Sequence, residues 1–228
     1  MNSWLFDLLG FLFPAYCPVC RNPMYNKWEV ICLTCEQKIP RTNYTNEIEN
    51  PVAELFWGRT KIEMATSLFR YEKGSAYQSL IHHLKYNGAL KIGDFLGKLL
   101  GRELQGTAFT ETDCIVPVPL HHKKLKQRGF NQSEIIAQGI SSITGIPVIN
   151  DLIFRNDHTK SQTNKTRFER WENMNHVFSL GNGVEAYCGI KVLLLDDVVT
   201  TGSTLEACAE KLRQIPNASI YIATVACA

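Results

Sequence analysis

Val192-Leu193-Leu194-Leu195-Asp196-Asp197-Val198-Val199-Thr200-Thr201-Gly202-Ser203-Thr204 is the stretch whose reading decides the fold. Four apolar residues end in two adjacent carboxylates, a Thr/Gly/Ser loop follows, and a helical pattern then begins. An apolar run without polar interruption reads as a strand buried on both faces, as in a parallel sheet. Ligands of open α/β sheets sit beyond the carboxyl ends of such strands, where Asp196 and Asp197 fall. Gly202 lets the backbone come close to a ligand, and Thr200, Thr201, Ser203 and Thr204 add hydroxyl donors. The N–H groups opening the next helix lack partners and carry the positive end of its dipole, which suits a phosphate. Two carboxylates beside a phosphate cradle point to a sugar phosphate. They can accept hydrogen bonds from ribose hydroxyls and help hold Mg²⁺ through its waters. Neither G-x-x-x-x-G-K-[ST] nor G-x-G-x-x-G occurs in the chain.

The chain has 228 residues, enough for one domain of ordinary size and a small satellite. With 45% hydrophobic and 20% charged residues, its composition is that of a soluble globular protein. A net charge of +2 is too mild to predict nucleic-acid binding by itself. The apolar segment Met1 to Phe13 does not read as an export signal. No Lys or Arg precedes it, Asp7 interrupts it, and no small-residue cleavage site precedes Pro14. It is too short to span a bilayer. It reads as a helix docking Trp4, Leu5, Leu8, Leu9 and Leu12 on the rest of the protein, without stable membrane insertion.

The eight cysteines fall into two populations. Cys114, Cys188, Cys208 and Cys227 are scattered in apolar surroundings and read as small core hydrophobes. Cys17-Pro-Val-Cys20 and Cys32-Leu-Thr-Cys35 form two C-x₂-C pairs. Each pair makes a tight knuckle presenting two thiolates, and two knuckles complete a tetrahedral S₄ site for Zn²⁺. Such a site has no open position, so its role is structural. Metal binding would supply much of the folding energy of so small a module. Two disulfides or a redox pair are the alternatives, and the second lacks a thioredoxin-like βαβ context. This cysteine usage suits a reducing cytosol.

Residues 41–51 are polar and Asn-rich and read as a linker between a module over residues 1–50 and a domain over 51–228. Strands are expected over 61–71, 114–118, 146–154, 191–195 and 218–225, and helices over 76–86, 91–104, 131–144 and 203–214. Strands separated by helices imply a parallel sheet. Two stretches are basic. Residues 117–132 carry His121, His122, Lys123, Lys124, Lys126 and Arg128 with no acid, following a strand whose end shares the edge of Asp196. Residues 155–175 carry Arg155, Lys160, Lys165, Arg167 and Arg170 with Trp171, in a long loop that reads as a lid or binding surface.

The run from Asp196 to Thr204 resembles the phosphoribosyl pyrophosphate (PRPP) loop of the type I phosphoribosyltransferases. The resemblance implies that Asp196 and Asp197 contact ribose hydroxyls and that Val198, Val199 and the Thr200–Thr204 loop complete the PRPP site. It also implies that Pro119, Leu120 and His121, with Lys123 and Arg128, lie near the pyrophosphate. Together with the four cysteines, the segment Leu80-Ile-His-His-Leu-Lys-Tyr-Asn-Gly88 and the block from Pro117 to Gln132, the pattern resembles the ComF family. These are competence-associated, phosphoribosyltransferase-like proteins, and the resemblance covers nearly the whole chain.

Likeness to this family implies a type I phosphoribosyltransferase fold, a parallel sheet flanked by helices, with a small amino-terminal zinc-knuckle module. The protein would bind PRPP with Mg²⁺ in the cytoplasm and act in DNA uptake or nucleotide-linked metabolism. The family leaves the acceptor and turnover open. The rival expectation is a non-catalytic binder of single-stranded DNA, or a PRPP-sensing adaptor of a helicase-like competence protein. Any hood over an acceptor has to come from residues 51–75 and the cysteine module. No residue identifies itself as a general base.

Overall fold

A computed structural model describes residues 15–24, 29–84, 89–156 and 177–228. The apolar segment Met1 to Phe13 and most of the second basic loop, Trp171 included, lie outside the described residues. Near the amino terminus β1 (Ala15–Tyr16) pairs antiparallel with β2 (Pro23–Met24), and α1 (Leu33–Gln37) starts directly after Cys32 and contains Cys35. Next come α2 (Pro51–Glu54), β3 (Met64–Arg70), α3 (Gln78–His83), α4 (Ala89–Leu104) and β4 (Cys114–Pro117). The remainder is α5 (His122–Arg128), α6 (Gln132–Thr144), the antiparallel pair β5 (Ile153–Arg155) and β6 (Phe178–Leu180), then β7 (Lys191–Val199), α7 (Ser203–Leu212) and β8 (Ser219–Cys227).

The central sheet has the order β3-β8-β7-β4, and every neighbouring pair is parallel. A parallel sheet flanked by helices is the expected architecture. Alternation along β7 shows why the apolar run was needed. Val192 and Leu194 enter one core with α2 and α7, while Leu193 and Leu195 enter the other with α4 and α6. All four side chains are fully buried, so neither face of this strand reaches water. Helices α4 and α6 pack backbone to backbone. A Cβ added at Gly97 would lie 2.3 Å from the Ile136 carbonyl oxygen, and one at Gly139 would lie 2.7 Å from that of Asp94.

Three boundaries differ from expectation, each for a local reason. The strand expected over 146–154 divides in two. Its first part bridges β4 through Val148 and its second becomes β5, because Pro147 has no N–H to donate and Asn150-Asp151 bend the chain between them. The middle of the first basic stretch is helix α5. The His121 ring accepts the Lys123 N–H at its start, and Gly129 at φ +80° closes it. The Asn-rich linker is bonded to the sheet. Thr42 N–H donates to Leu68 O at 3.2 Å and Arg70 N–H to Pro40 O at 3.0 Å, so it covers the outer edge of β3. Asn50, also in this stretch, is buried. Its amide donates to Ala65 O while its Oδ1 caps α2.

Candidate functional site

Strand β7 outlasts its neighbour on one side only. Its ladder with β4 stops at Pro117 and Leu195, closed by Val118 N–H donating to Leu195 O at 2.8 Å. On the other side it stays paired with β8 as far as Val199 and Cys227. Asp196 and Asp197 therefore lie inside the strand, where a position just past its carboxyl end was expected, yet they stand clear of the sheet on the β4 side. The acids are at the carboxyl edge because β4 ends early.

Asp196 is half-buried and tightly tied. Its Oδ1 accepts the Ser133 hydroxyl and the Asp197 backbone N–H, both at 2.9 Å. Ser133 is held in turn by Asn131, whose side chain caps α6 by accepting the Ser133 N–H and donates to Val118 O at 3.0 Å. Burial, and then the neighbouring charge of Asp197, push the Asp196 carboxyl up to about 7 from the ordinary 3.8. The two hydrogen bonds act in the opposite direction and are outweighed.

The hydroxyl loop turns directly from β7 into α7. Gly202 takes φ +74° as the residue before the helix, a conformation that favours glycine. A Cβ there would also meet the Phe56 ring at 3.1 Å. Asp196 and residues 198–205 enclose a recess of about 50 Å³ at the opening of α7. Thr200, Thr201 and Thr204 are exposed, Ser203 is half-buried, and the Thr201 and Ser203 hydroxyls pair at 3.1 Å. Arg59 braces this loop from outside. Its Nη1 donates to Thr201 O at 2.7 Å and Leu55 O at 2.9 Å, and its Nη2 to Ser203 Oγ at 3.4 Å and to Glu206.

Pro119, Leu120 and His121 leave β4 at the same edge and are half-buried. Lys123 is exposed on α5, a helix with no buried residue, and Arg128 is half-buried at its end. Among the described residues, no hydrogen bond or ion pair joins Lys123 or Arg128 to the acids or the hydroxyl loop. Arg155, at the start of the second basic stretch, lies in β5 with its guanidinium 5.4 Å from the Phe178 ring centroid. Sequence reading missed Phe56, Arg59 and Ser133. Ser133 directly follows the basic block, whereas nothing in the chain marks Arg59 as a partner of Thr201. It also missed Tyr71, whose phenol is pushed up by burial and then by the charge of Asp197.

The four amino-terminal cysteines converge. All four Sγ atoms lie within 4.8 Å of one another, and Cys20 and Cys32 are 3.7 Å apart. A tetrahedral ZnS₄ site with bonds near 2.3 Å needs sulfurs roughly 3.8 Å apart, so the donor set fits one structural zinc. At Cys17 burial acts upward, but backbone N–H groups, that of Cys32 first among them, bring the thiol down to about 7. Burial, and then the neighbouring thiols, push Cys35 the other way. The module is not set apart from the sheet. Cys17, Met24, Ile31, Cys35 and Ile39 share a core with Leu80, Ile81 and Leu84. Tyr77 Oη donates to Cys35 O at 2.9 Å and Ser79 Oγ to Pro18 O at 2.7 Å. Of the other cysteines, Cys114, Cys208 and Cys227 are buried as read. Cys188 is exposed, because it follows a surface turn of helix ahead of Gly189.

No helix among the described residues is long and apolar enough to cross a membrane. No protein-family model matches the chain. Among solved structures, the glutamine PRPP amidotransferase of B. subtilis superposes with a TM-score of 0.41 at 19% identity, over 58% of this chain and 25% of that one. The adenine phosphoribosyltransferase of Thermoanaerobacter pseudethanolicus superposes at 0.37 and 12% identity, over 60% of this chain and 81% of that one. Superpositions this loose bear on neither ligand nor reaction. Sequence relatives are more informative. Competence protein F of Haemophilus influenzae is 32% identical over 140 residues, which are 60% of this chain and 61% of that protein. The match thus spans less than two thirds of that relative's length. The DNA utilization protein YhgH of Salmonella typhimurium is 29% identical over 92% of this chain and 95% of its own. Competence protein ComFC of Bacillus subtilis is 33% identical over 98 residues, 37% of that protein. The chain is thus similar to proteins named for competence and DNA utilization, and it carries four converging cysteines and an acid–hydroxyl loop.

Proposed function

We propose that residues 196–204 seat PRPP with its Mg²⁺, in a protein serving DNA uptake or utilization in the cytoplasm. The observation behind this reading is the recess at the opening of α7, walled by Asp196 and residues 198–205. A 5′-phosphate there would meet the unpaired N–H groups and positive dipole end of α7, together with the loop hydroxyls. Asp196 and Asp197 would accept hydrogen bonds from the ribose hydroxyls. Pyrophosphate would lie toward Pro119, Leu120 and His121, with Lys123 and Arg128 as nearby cations. Bound with the substrate, Mg²⁺ would neutralise charge on the departing pyrophosphate, held through waters on the two carboxylates. The chain's own part in a transfer is to orient the sugar, keep Asp196 in place through Ser133, and hold the loop through Arg59.

Calorimetry with PRPP and Mg²⁺ on the wild type and on Asp196→Asn/Asp197→Asn tests the site. The wild type should bind, and the double variant should bind at least about tenfold more weakly, the worth of one charged hydrogen bond. Equal affinity in the two proteins would remove the assigned site.

The exposed basic helix α5 supports a second reading, in which the protein grips single-stranded DNA without catalysis, as an adaptor beside a helicase-like competence protein. Affinity for an oligonucleotide should then fall steeply between low and moderate salt and weaken in Lys123→Ala/Lys126→Ala. An oligonucleotide that fails to bind at low salt ends that reading.

A further inference from the structure

Three polar side chains stand in a row across the middle of the central sheet. Ser67 of β3 is level with Thr224 of β8, and Thr224 is level with Asp196 of β7. Alternation along the strands puts all three on one face. Ala65, Ile222 and Leu194, each two residues earlier in its strand, share the core with α2 and α7. Cys208 of α7 agrees with that direction, since burial and then the charge of Asp196 push its thiol well up. Neighbouring strands run about 4.8 Å apart, which puts a hydroxyl at 224 within reach of a carboxylate at 196.

This row is costly to bury. Ser67 and Thr224 are fully buried. Ser67 Oγ donates to Phe69 O at 3.4 Å, whereas Thr224 Oγ1 has no hydrogen-bond partner among the described residues. A buried hydroxyl without a partner destabilises the fold, and valine would fill the same volume without that cost. The strand is otherwise built that way, with Ile220, Ile222 and Val225. An orphaned hydroxyl alone carries no role, because Thr66 Oγ1 is orphaned too. Thr66, however, lies on the opposite face with Met64 and Leu68, and its neighbour in β8 is Ala223. What sets Thr224 apart is the acid beside it. The Ser133 hydroxyl and the Asp197 N–H both end on Oδ1 of Asp196, so these two ties hold one oxygen and leave the plane of the carboxylate to be fixed by a third. A threonine hydroxyl rotates to suit its acceptor, and Thr224 is the neighbour on the β8 side.

We infer that Thr224 is a positioning residue for Asp196: its hydroxyl donates to Oδ2 of that acid and fixes the plane in which the carboxylate meets a ribose hydroxyl, a role toward ligand that rests on the PRPP reading above. Ser133 then holds Asp196 from α6 and Thr224 from β8, one donor to each oxygen. The recess walled by Asp196 and residues 198–205 lies over the same end of the sheet.

Two measurements on the full-length zinc-loaded protein test this. The first needs no ligand: a thermal double-mutant cycle of Thr224→Val and Asp196→Ala at pH 8. Thr224→Val should lower the wild-type Tm by about 2 °C or more, and raise it in the Asp196→Ala background, where the hydroxyl has lost its acceptor. Thr66→Val should raise Tm in both backgrounds. If Thr224→Val also raises Tm equally in both, the proposal is overturned. The second is calorimetry with PRPP–Mg²⁺. Thr224→Val should weaken binding about tenfold, Thr224→Ser should restore it to within about twofold, and Thr66→Val should leave it unchanged. A wild type that binds PRPP no better than Thr224→Val does overturns the positioning role and leaves the PRPP site standing. A protein that ignores PRPP but shows the coupling in the cycle does the reverse: the Thr224–Asp196 bond stands and the sugar-phosphate reading falls. If Thr224→Val fails to fold, Thr224→Ala replaces it in both measurements, and its Tm cost should be larger in the wild type than in Asp196→Ala.

Discussion

The cysteine cluster and the hydroxyl loop are held by opposite means. The cluster's four ligands come from two short knuckles close in sequence, and their sulfurs already lie at the spacing that one metal needs. The hydroxyl loop owes its shape to residues far along the chain. Arg59 reaches Thr201 across 142 positions, Ser133 reaches Asp196 across 63, and the Phe56 ring closes on Gly202. A site built from local spacing makes its own geometry. A site built from distant braces inherits it from the packed fold, and each is therefore sensitive to a different insult.

The largest effect should follow loss of the cluster. Structural zinc supplies on the order of 10 kcal/mol to isolated modules, and here the knuckles share a core with Leu80, Ile81 and Leu84. Cys35→Ser, or removal of metal by a chelator, should lower Tm by at least about 10 °C. Hydrogen exchange should show α3 losing protection while the start of α7 keeps it. Equal loss at both places would erase the distinction between the two regions. Metal analysis of the purified protein should give one zinc per chain.

Arg59→Ala should do the reverse. The guanidinium is about a third exposed, so its ion pair with Glu206 contributes little to stability. Its two bonds to the Leu55 and Thr201 carbonyls matter more, because they fix the loop beside the recess. Stability should fall by about 1 kcal/mol, and PRPP affinity by about tenfold. A variant that melts several degrees lower yet binds PRPP normally would show that the loop shapes itself.

The same contrast explains what could be read in advance. The strands were legible because burial on both faces leaves an uninterrupted apolar run, as at Val192–Leu195. The cysteine cluster was legible because metal ligands need fixed short spacings. Helix α5 was not, since its residues face solvent and no apolar period betrays them; only the His121 cap and Gly129 define it. The edge pairing of residues 40–42 with β3 was hidden because backbone bonds leave no trace in side-chain chemistry. For the same reason the acids were expected past the strand's end. Where β7 stops depends on its neighbours, and those neighbours stop at different heights.

A pH-dependent effect is the most specific to the loop region. The folded-state value of Asp196, about 7, lies above the ordinary 3.8, so the native protein holds this proton more tightly than the unfolded chain does. Its contribution to stability is therefore fully present below pH 3.8 and is lost as pH rises through about 7. Asp196→Asn keeps an oxygen for Ser133 and for the Asp197 N–H but cannot ionise. Relative to the wild type, its Tm should rise between pH 5 and pH 8, by roughly 5–10 °C. The proposed role runs the other way, because a ribose hydroxyl and the waters of Mg²⁺ need the carboxylate. Wild-type affinity for PRPP–Mg²⁺ should climb over that same interval, and Asp196→Asn should flatten the climb. Burial is the larger cause of the shift and the Asp197 charge the second. Asp197→Asn should accordingly move the wild-type transition to lower pH without abolishing it. A pH-independent Tm difference between Asp196→Asn and the wild type would mean that this carboxyl titrates as an ordinary surface acid. The loop would then lack the desolvated acid that separates it from the cysteine cluster.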